Sequence, residues 1–179
     1  MRASAPLSLL LLAAAAACAE APVTAPDAFA VPLFTRGESH NFGAAMAGRN
    51  EVPSVDTRAR GSAVFHLSED GTALHYQLMT AGLQNVTQAH IHIGPPTASG
   101  PFVVFLFGFV PGGVSENGVL ARGTIHESDL IARANIGFGA TMAELVAALR
   151  SGNAYVNAHT VAFPAGEIRG QVRESGPTS

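Results

Sequence analysis

Two histidines separated by one residue are the residues of this chain that most clearly suggest a chemical function. His90 and His92 lie in residues 89–93, where apolar and imidazole side chains alternate. Successive side chains of a β-strand point to opposite faces, so both imidazoles share one face. Neutral imidazole is the commonest metal ligand among protein side chains. The pattern therefore predicts part of a metal site, and the alternative is a pair of solvated surface histidines.

A strand near the C-terminus carries the side chains that could complete such a site. Residues 154–160 alternate so that Tyr155, Asn157 and His159 share one face. His159 is predicted to be the third imidazole ligand. Three imidazoles suit copper or zinc, and copper is favoured here with zinc as the alternative.

Residues 167–173 present a second polar face, which carries Glu167, Arg169, Gln171 and Arg173. Asn157, Glu167 and Gln171 are predicted to orient the imidazoles through the ring nitrogens that do not bind metal. Arg169 is the candidate catalytic residue, because its permanent positive charge would attract an anionic substrate. In the alternative interpretation these polar groups only brace neighbouring strands, and Glu51 bonds to backbone or pairs with Arg169.

A hairpin is predicted around Asp70-Gly71, a two-residue turn between alternating segments at 63–68 and 73–79. In this register Phe65 faces Tyr76 and Leu67 faces Leu74 on the core side. His66 then lies opposite His75 on the outer side, where opposed Cβ atoms are about 4.5–5.5 Å apart. His66 and His75 are therefore candidates for a further metal ligand, and the alternative is two exposed surface histidines.

Composition favours an all-β fold. The chain has 19 Gly and 11 Pro but only 13% charged residues, which fits short strands joined by turns. Strands are predicted at 40–47, 63–68, 73–79, 86–93, 102–109, 119–126, 154–160 and 167–173. We expect a Greek-key sandwich or barrel of about eight strands. One short connecting helix is predicted at about 141–151, with Thr141 and Glu144 as a capping box and Gly152 after its end.

The N-terminal region is predicted to direct the chain out of the cytoplasm. Residues 1–18 combine Arg2 with a short apolar run, which is typical of a signal peptide and too short to span a membrane. Cys18, the only cysteine, is a candidate lipidation site and hence a membrane anchor; the alternative is ordinary cleavage after Ala19. Residues 19–38 are predicted to be a flexible tether, 39–174 the domain and 175–179 a tail. The net charge of −3 and the absence of a basic patch argue against nucleic acid as a partner.

Four motifs in this order resemble the CHRD domain, named for its occurrence in chordin and also found in bacterial secreted proteins. They are Gly48-x-x-Glu51-Val52-Pro53, Ala89-His90-Ile91-His92, Tyr155-Val156-Asn157-Ala158-His159-Thr160 and Gly166-Glu167-Ile168-Arg169-Gly170-Gln171. The resemblance covers residues 39–173. It implies a domain that works in the periplasm, at the outer membrane or cell surface, or in secreted form, but it assigns no reaction.

The chain also resembles copper-zinc superoxide dismutase in architecture and style of site. This resemblance implies that His90, His92 and His159 are copper ligands and that Arg169 guides the superoxide anion. The chain departs from that family because it has no cysteine pair and no histidine-rich loop with an aspartate for zinc. No bridging histidine is identifiable, although His66, His75 or His126 could supply a fourth ligand. A site of this kind would therefore hold copper alone.

Two functions from different classes follow from the sequence. In the first, the domain is a metalloprotein that binds copper and could act as a superoxide dismutase-like oxidoreductase. It requires the ring nitrogens of His90, His92 and His159 to converge within about 3–4 Å, since metal–nitrogen bonds are about 2 Å long. In the second, the domain is a non-enzymatic binding or structural module of the cell envelope. The histidines then diverge, and the loops at 94–100 and 111–118 carry the interaction. The oligomeric state is left open.

Overall fold

The computed structural model describes residues 40–176, and these form an antiparallel β-structure with one α-helix. The strands are β1 (Asn41–Ala47), β2 (Arg60–Leu67), β3 (Ala73–Ala81), β4 (Val86–Ile93), β5 (Phe102–Phe107), β6 (Gly118–His126), β7 (Ala154–Thr160), β8 (Ile168–Gln171) and β9 (Arg173–Glu174). The helix is α1 (Met142–Arg150), and short 3-10 helices lie at Gly48–Asn50, Glu127–Asp129 and Ala134–Ile136. None of the helices in residues 40–176 has the length and apolar character needed to cross a lipid bilayer.

Eight strands form a nearly closed barrel in the order β5-β4-β7-β8-β1-β2-β3-β6, and β9 pairs with β1. Neighbours that are not consecutive in sequence, such as β4 with β7 and β8 with β1, are the mark of Greek-key connections. The all-β prediction with about eight strands is therefore confirmed. The order also brings the histidine-bearing strands β4 and β7 side by side, and the polar strand β8 next to β7.

The β2–β3 hairpin has the predicted register. Phe65 pairs with Tyr76, Leu67 with Leu74, and His66 with His75. The turn is stabilised because the Asp70 side chain accepts hydrogen bonds from both Ser68 and Thr72. Asp70-Gly71 thus determines where the chain turns, and the alternation of apolar residues determines which face of the hairpin is buried.

The predicted helix is confirmed with its capping box. Thr141 accepts a hydrogen bond from the Glu144 backbone N–H, and the Glu144 carboxylate accepts one from the Thr141 N–H. Leu145 and Leu149 are fully buried against the barrel. The chain leaves the helix through Gly152, whose φ of +67° is in the left-handed region that glycine adopts without strain.

The C-terminal and β5 strands differ from their predicted extents. The single strand predicted at 167–173 is divided into β8 and β9, because Val172 donates its backbone N–H to Ala154 while β9 pairs with β1. The strand predicted at 102–109 ends at Phe107, and it is not covered on both faces. Phe105 is 41% exposed, and Phe109, beyond the end of β5, is 65% exposed.

Candidate metal centre

Three histidines converge on the side of β4 and β7 that faces away from the hydrophobic core. Ala89 and Ile91 point into the core, as the alternation on β4 predicts. His90 pairs with Asn157 across the two strands, and His159 lies two residue pairs away on the same face, opposite Gln88. The ring centroids of His90 and His159 are 4.9 Å apart, and those of His90 and His92 are 5.5 Å apart.

The rings bring their nitrogen atoms close together. His90 Nδ1 lies 3.1 Å from His159 Nε2, and one ligand atom from each of the three histidines lies within 4.8 Å of the other two. Bonds of about 2 Å to one ion require separations of about 3–4 Å. The closest pair of ring nitrogens has this separation, whereas the 4.8 Å within which the whole group lies is somewhat wider.

The imidazoles are buried, which excludes the interpretation as solvated surface groups. Their exposed fractions are 3% for His90, 8% for His92 and 6% for His159. A covering loop (residues 94–101) contributes to this burial, and its Gly100 carbonyl contacts His92. The sequence did not reveal this cover, because the interaction is made by a backbone group and not by a recognisable side chain.

Hydrogen bonds to backbone carbonyls fix the tautomers of two of the rings. His92 Nδ1 lies 2.7 Å from the Gly100 carbonyl oxygen, and His159 Nδ1 lies 2.9 Å from that of Pro164. Since a carbonyl oxygen only accepts, each Nδ1 carries the proton. A neutral ring protonated at Nδ1 has its lone pair at Nε2, so both rings present Nε2 as a ligand atom.

Two of the ring-nitrogen lone pairs in the cluster lack donors. In this tautomer His159 Nε2 accepts from His90 Nδ1, which leaves His90 Nε2 unprotonated. His90 Nε2 and His92 Nε2 are both buried without a hydrogen-bond partner. Asn157 Oδ1, another acceptor, lies 3.0 Å from His159 Nε2. Several buried acceptors therefore face one another, an arrangement that a bound cation would stabilise.

Burial keeps all three imidazoles in the neutral form that binds metal. Desolvation is the largest cause that lowers the pKa of His90, to about 3, and electrostatic repulsion between its protonated form and the protonated forms of His159 and His92 adds to the shift. Desolvation likewise lowers the pKa of His92 to about 4. The pKa of His159 is also lowered by burial, although its bond to the Pro164 carbonyl opposes the shift. The cluster is thus uncharged at neutral pH and needs to release no proton from these lone pairs on binding.

Aromatic rings hold the histidines in position. Phe102 stacks on His90 at 4.7 Å between centroids, and Phe105 meets it edge-on at 4.5 Å. Tyr155 stacks on His92 at 4.7 Å. Sequence reasoning placed Tyr155 on the polar face but gave it no role, and it assigned none to the two phenylalanines. Their apolar surfaces keep water from the rings and restrict ring rotation.

Arg169 is close to the cluster but does not touch it. Its guanidinium carbon lies 3.4 Å from the ring centroid of Tyr155, which is on β7 between His92 on β4 and Arg169 on β8. Its Nη2 donates to the carbonyls of Pro95 and Ala98 in the covering loop, at 2.7 and 3.1 Å. The charge of Arg169 contributes to the lowered pKa of His92. Arg169 thus acts on the histidines through its electric field.

The three residues predicted to orient the imidazoles have different places in the structure. Asn157 contacts His159 directly. Glu167 instead accepts hydrogen bonds from Thr57 and Thr160, both at 2.8 Å. Gln171 donates to the carbonyls of Gly94 and Gly152. Glu167 and Gln171 therefore tie strands and loops around the centre together without touching a ring.

Glu51 is a buried carboxylic acid beside the centre. Desolvation raises its pKa from 4.5 to about 7, while the charge of Arg169 and hydrogen bonds from Val52 and Asn157 oppose the shift. A side chain at Gly166 would place its Cβ 2.5 Å from Glu51 Oε1 and 2.9 Å from Asn157 Nδ2. Glycine is therefore required there, because only a bare backbone lets Glu51 and Asn157 pack so closely.

We expect Glu51→Gln to change the pH dependence of stability. The folded-state pKa of Glu51 is raised to about 7, so its stabilising contribution is complete below its usual pKa and is lost as pH rises through about 7. The variant lacks this titration. Relative to that of the wild-type protein, its free energy of unfolding should therefore rise by about 1–3 kcal/mol as the pH increases from about 5 to about 8.

Urea unfolding of both proteins at the two pH values measures this difference. Glu69→Gln, at an exposed carboxylate in the β2–β3 turn, is the control and should follow the wild-type pH profile. The prediction is contradicted if the difference in free energy of unfolding between Glu51→Gln and the wild-type protein is the same at both pH values.

The remaining candidate ligands lie elsewhere. His66 and His75 are exposed on β2 and β3, and their rings stack at 6.5 Å between centroids. Their Nδ1 atoms bond to Asn41 and Thr124 respectively. His126 precedes a 3-10 helix, and its backbone N–H bonds to Asp129. Within residues 40–176, only His90, His92 and His159 form a group of three or more potential metal ligands. Cys18 lies outside the described residues.

Comparison with protein families agrees with the motifs. Searches of curated proteins and of solved structures give no match. The family model of the CHRD domain matches residues 42–172. This span includes all of the strands from β2 to β8 and the three converging histidines. The chain therefore belongs to the CHRD domain family.

Proposed function

We propose that this CHRD domain binds one transition-metal ion, with copper favoured, through His90, His92 and His159. The observation that carries the proposal is the convergence of three neutral, buried imidazoles, of which His90 and His92 have Nε2 lone pairs without donors. Such atoms cost free energy unless something satisfies them. In the alternative, a binding module of the envelope, the histidines would diverge or be fully engaged with protein partners.

The donor set favours copper over other ions. Three imidazole nitrogens form the group, without a carboxylate or thiolate among its members. Imidazole suits copper and zinc, and copper(II) binds a given site more tightly than the other divalent first-row metals. When bound, copper supplies one-electron redox chemistry, whereas zinc would make the centre structural or hydrolytic.

The surroundings of the histidines favour a small anionic substrate such as superoxide. The ligands are at most 8% exposed, so a bulky substrate cannot reach them. Arg169 supplies a permanent positive charge on the far side of Tyr155, and this charge raises the local concentration of anions. The covering loop and the phenylalanines exclude bulk water, while the Gly100 and Pro164 carbonyls keep Nε2 of two rings unprotonated.

We further propose that the domain works outside the cytoplasm, in the periplasm or at the cell surface. Support comes from the family and from the predicted signal peptide at residues 1–18, with lipidation of Cys18 as the proposed anchor. Labelling of cells with radioactive palmitate distinguishes a lipidated chain, which retains label at Cys18, from one that is cleaved after Ala19.

The metal proposal is tested by titrating the metal-stripped, full-length chain with Cu(II) and with Zn(II). Calorimetry gives affinity and stoichiometry, and electron paramagnetic resonance identifies nitrogen ligands of copper. We expect one-to-one copper binding that falls by at least about a hundredfold in His90→Ala and in His159→Ala, since each loses a direct ligand. His66→Ala removes an exposed histidine outside the group and should bind copper as the wild-type protein does.

Weak copper binding, or binding that survives in His90→Ala and His159→Ala, would refute the metal centre. The domain would then be assigned to the class of interaction modules, and the loop at 111–118 would be the first place to test. The carbonyls of the loop at 94–100 are already used inside the domain, by His92, Arg169 and Gln171. Tight wild-type binding lost in both variants would justify an assay of superoxide dismutation.

A further inference from the structure

A polar cavity of about 560 Å³ lies on the far side of Tyr155 from the histidines. Its walls include the 3-10 turn after β1 and Pro96 of the covering loop, together with residues of β1, β8 and β9. Gly43 and Ala45 of β1 line the cavity, and the small size of these two residues leaves the space open. The volume is in the range of about 300–1,000 Å³ that is typical of small-molecule sites.

Three arginines line this cavity. Arg49, Arg169 and Arg173 are three of only ten basic residues in a chain whose net charge is −3. Arg49 and Arg173 are exposed. Within residues 40–176, neither of these two side chains has a hydrogen-bonded or ion-paired partner. Arg169 is 1% exposed, and its Nη1 has no hydrogen-bond partner although its Nη2 has two.

The negative charge that lines the cavity is much smaller. Among its lining residues only Glu51 carries a carboxylate, and burial raises the pKa of Glu51 to about 7. At neutral pH this group is therefore partly protonated and offsets less than one of the three positive charges. The cavity is a local region of positive potential, which concentrates anions and strengthens their hydrogen bonds to guanidinium groups.

A fixed amide adds capacity for hydrogen bonds. Gln171 Nε2 donates to the carbonyls of Gly94 and Gly152, at 2.9 and 2.7 Å. Because both partners only accept, the orientation of the amide is determined, and Gln171 Oε1 is left as a buried acceptor without a donor. Gln171 lines the cavity beside the arginines, and a ligand hydroxyl that reached this acceptor would satisfy it, which suits a ligand that carries both an oxyanion and hydroxyl groups.

We propose that this cavity binds a small hydroxylated molecule that bears one oxyanion, such as an acidic sugar with a carboxylate or phosphate group. The oxyanion is held by Arg49 and Arg173 at the exposed side, above the fixed guanidinium of Arg169. The site is distinct from the metal centre, because Tyr155 lies between Arg169 and His92. It does not depend on whether the histidines bind an ion.

Calorimetric titration of the metal-stripped, full-length chain tests the proposal with three probes of similar size: D-glucuronate, D-glucose 6-phosphate and D-glucose. We expect at least one charged sugar to bind one-to-one, and at least about tenfold more tightly than glucose. The tighter of the two charged probes identifies the oxyanion as carboxylate or phosphate. Binding should weaken with added salt, since exposed charges contribute to it.

The double variant Arg49→Gln/Arg173→Gln should weaken binding of the preferred probe by at least about tenfold. Arg122→Gln removes the same charge from an exposed position on β6 outside the cavity and should leave the affinity unchanged. All three positions are exposed, so the substitutions are compatible with folding. The proposal is overturned if neither charged sugar binds better than glucose, or if Arg122→Gln weakens binding as much as the double variant does.

Discussion

Replacing His90 by leucine is expected to leave the metal-free protein at least as stable as the wild-type protein while abolishing its stabilisation by copper. His90 is 3% exposed, packs against Phe102 and Phe105, and has a buried Nε2 without a partner. An apolar side chain of similar size removes this unsatisfied atom, a gain that we expect to outweigh the loss of the hydrogen bond from His90 Nδ1 to His159 Nε2. The free energy of unfolding without metal should therefore change by about 0 to +1 kcal/mol, whereas most buried substitutions destabilise.

Copper is expected to stabilise only the wild-type protein. At a free concentration of about 100 times its dissociation constant, copper should stabilise the wild-type protein by about 2.7 kcal/mol and His90→Leu by almost nothing. Urea unfolding with and without copper measures both quantities. Ile91→Ala, one residue along β4 and fully buried on the core side, is the matched control. It should lose about 2–5 kcal/mol in either condition and keep the increment from copper.

A loss of several kcal/mol in metal-free His90→Leu would show that His90 stabilises the fold by itself. Retention of the copper increment in His90→Leu would show that the ion binds elsewhere. Either result is incompatible with a histidine that is kept for metal binding at a cost in stability.

Replacing Arg169 by methionine is expected to be strongly destabilising, by about 3–5 kcal/mol. Arg169 is 1% exposed, lies flat on Tyr155 and donates to two carbonyls of the covering loop. Methionine fills much of the same space but leaves the Pro95 and Ala98 carbonyls without their donor. It also leaves Glu51 without the positive charge that opposes the rise in its pKa. The loss of stability arises mainly from the two carbonyls and from Glu51, which remain buried without their partner.

The same argument gives this variant a characteristic pH dependence. Glu51 is neutral well below its pKa of about 7 and then needs no countercharge. The loss caused by Arg169→Met should therefore be larger at about pH 8 than at about pH 5. Arg169→Lys keeps the charge but cannot bridge two carbonyls while lying flat on Tyr155, so we expect an intermediate loss of about 1–2 kcal/mol. Urea unfolding of both variants at the two pH values provides the measurement. A decrease in the free energy of unfolding of less than about 1 kcal/mol in Arg169→Met would contradict the prediction.

The parts of the fold that depend on local chemistry were predictable from the sequence. Asp70-Gly71 and the alternating residues around it determined the β2–β3 register, because a two-residue turn allows only one pairing. Thr141 and Glu144 determined where α1 begins. The alternation on β4 and β7 placed His90, His92 and His159 on the polar faces that the structure brings together.

Other parts depend on contacts between segments that no local pattern encodes. The covering loop binds Arg169 and His92 through backbone carbonyls, and every residue type carries a carbonyl. The roles of Glu167 and Gln171 could not be assigned for a related reason. A face shared with the ligands does not decide whether a side chain reaches a ring, a threonine or a loop.

The choice of carbonyls as the acceptors for His92 and His159 has a consequence for the electrochemistry of a bound ion. A carboxylate in this position would give the imidazole partial anionic character and stabilise a higher oxidation state. The Gly100 and Pro164 carbonyls are neutral, and the three rings are neutral and buried. If the proposed copper ion is bound, little ligand charge would compensate its divalent form in this poorly solvated site, so the monovalent form would be favoured and the reduction potential of the centre would be shifted upward.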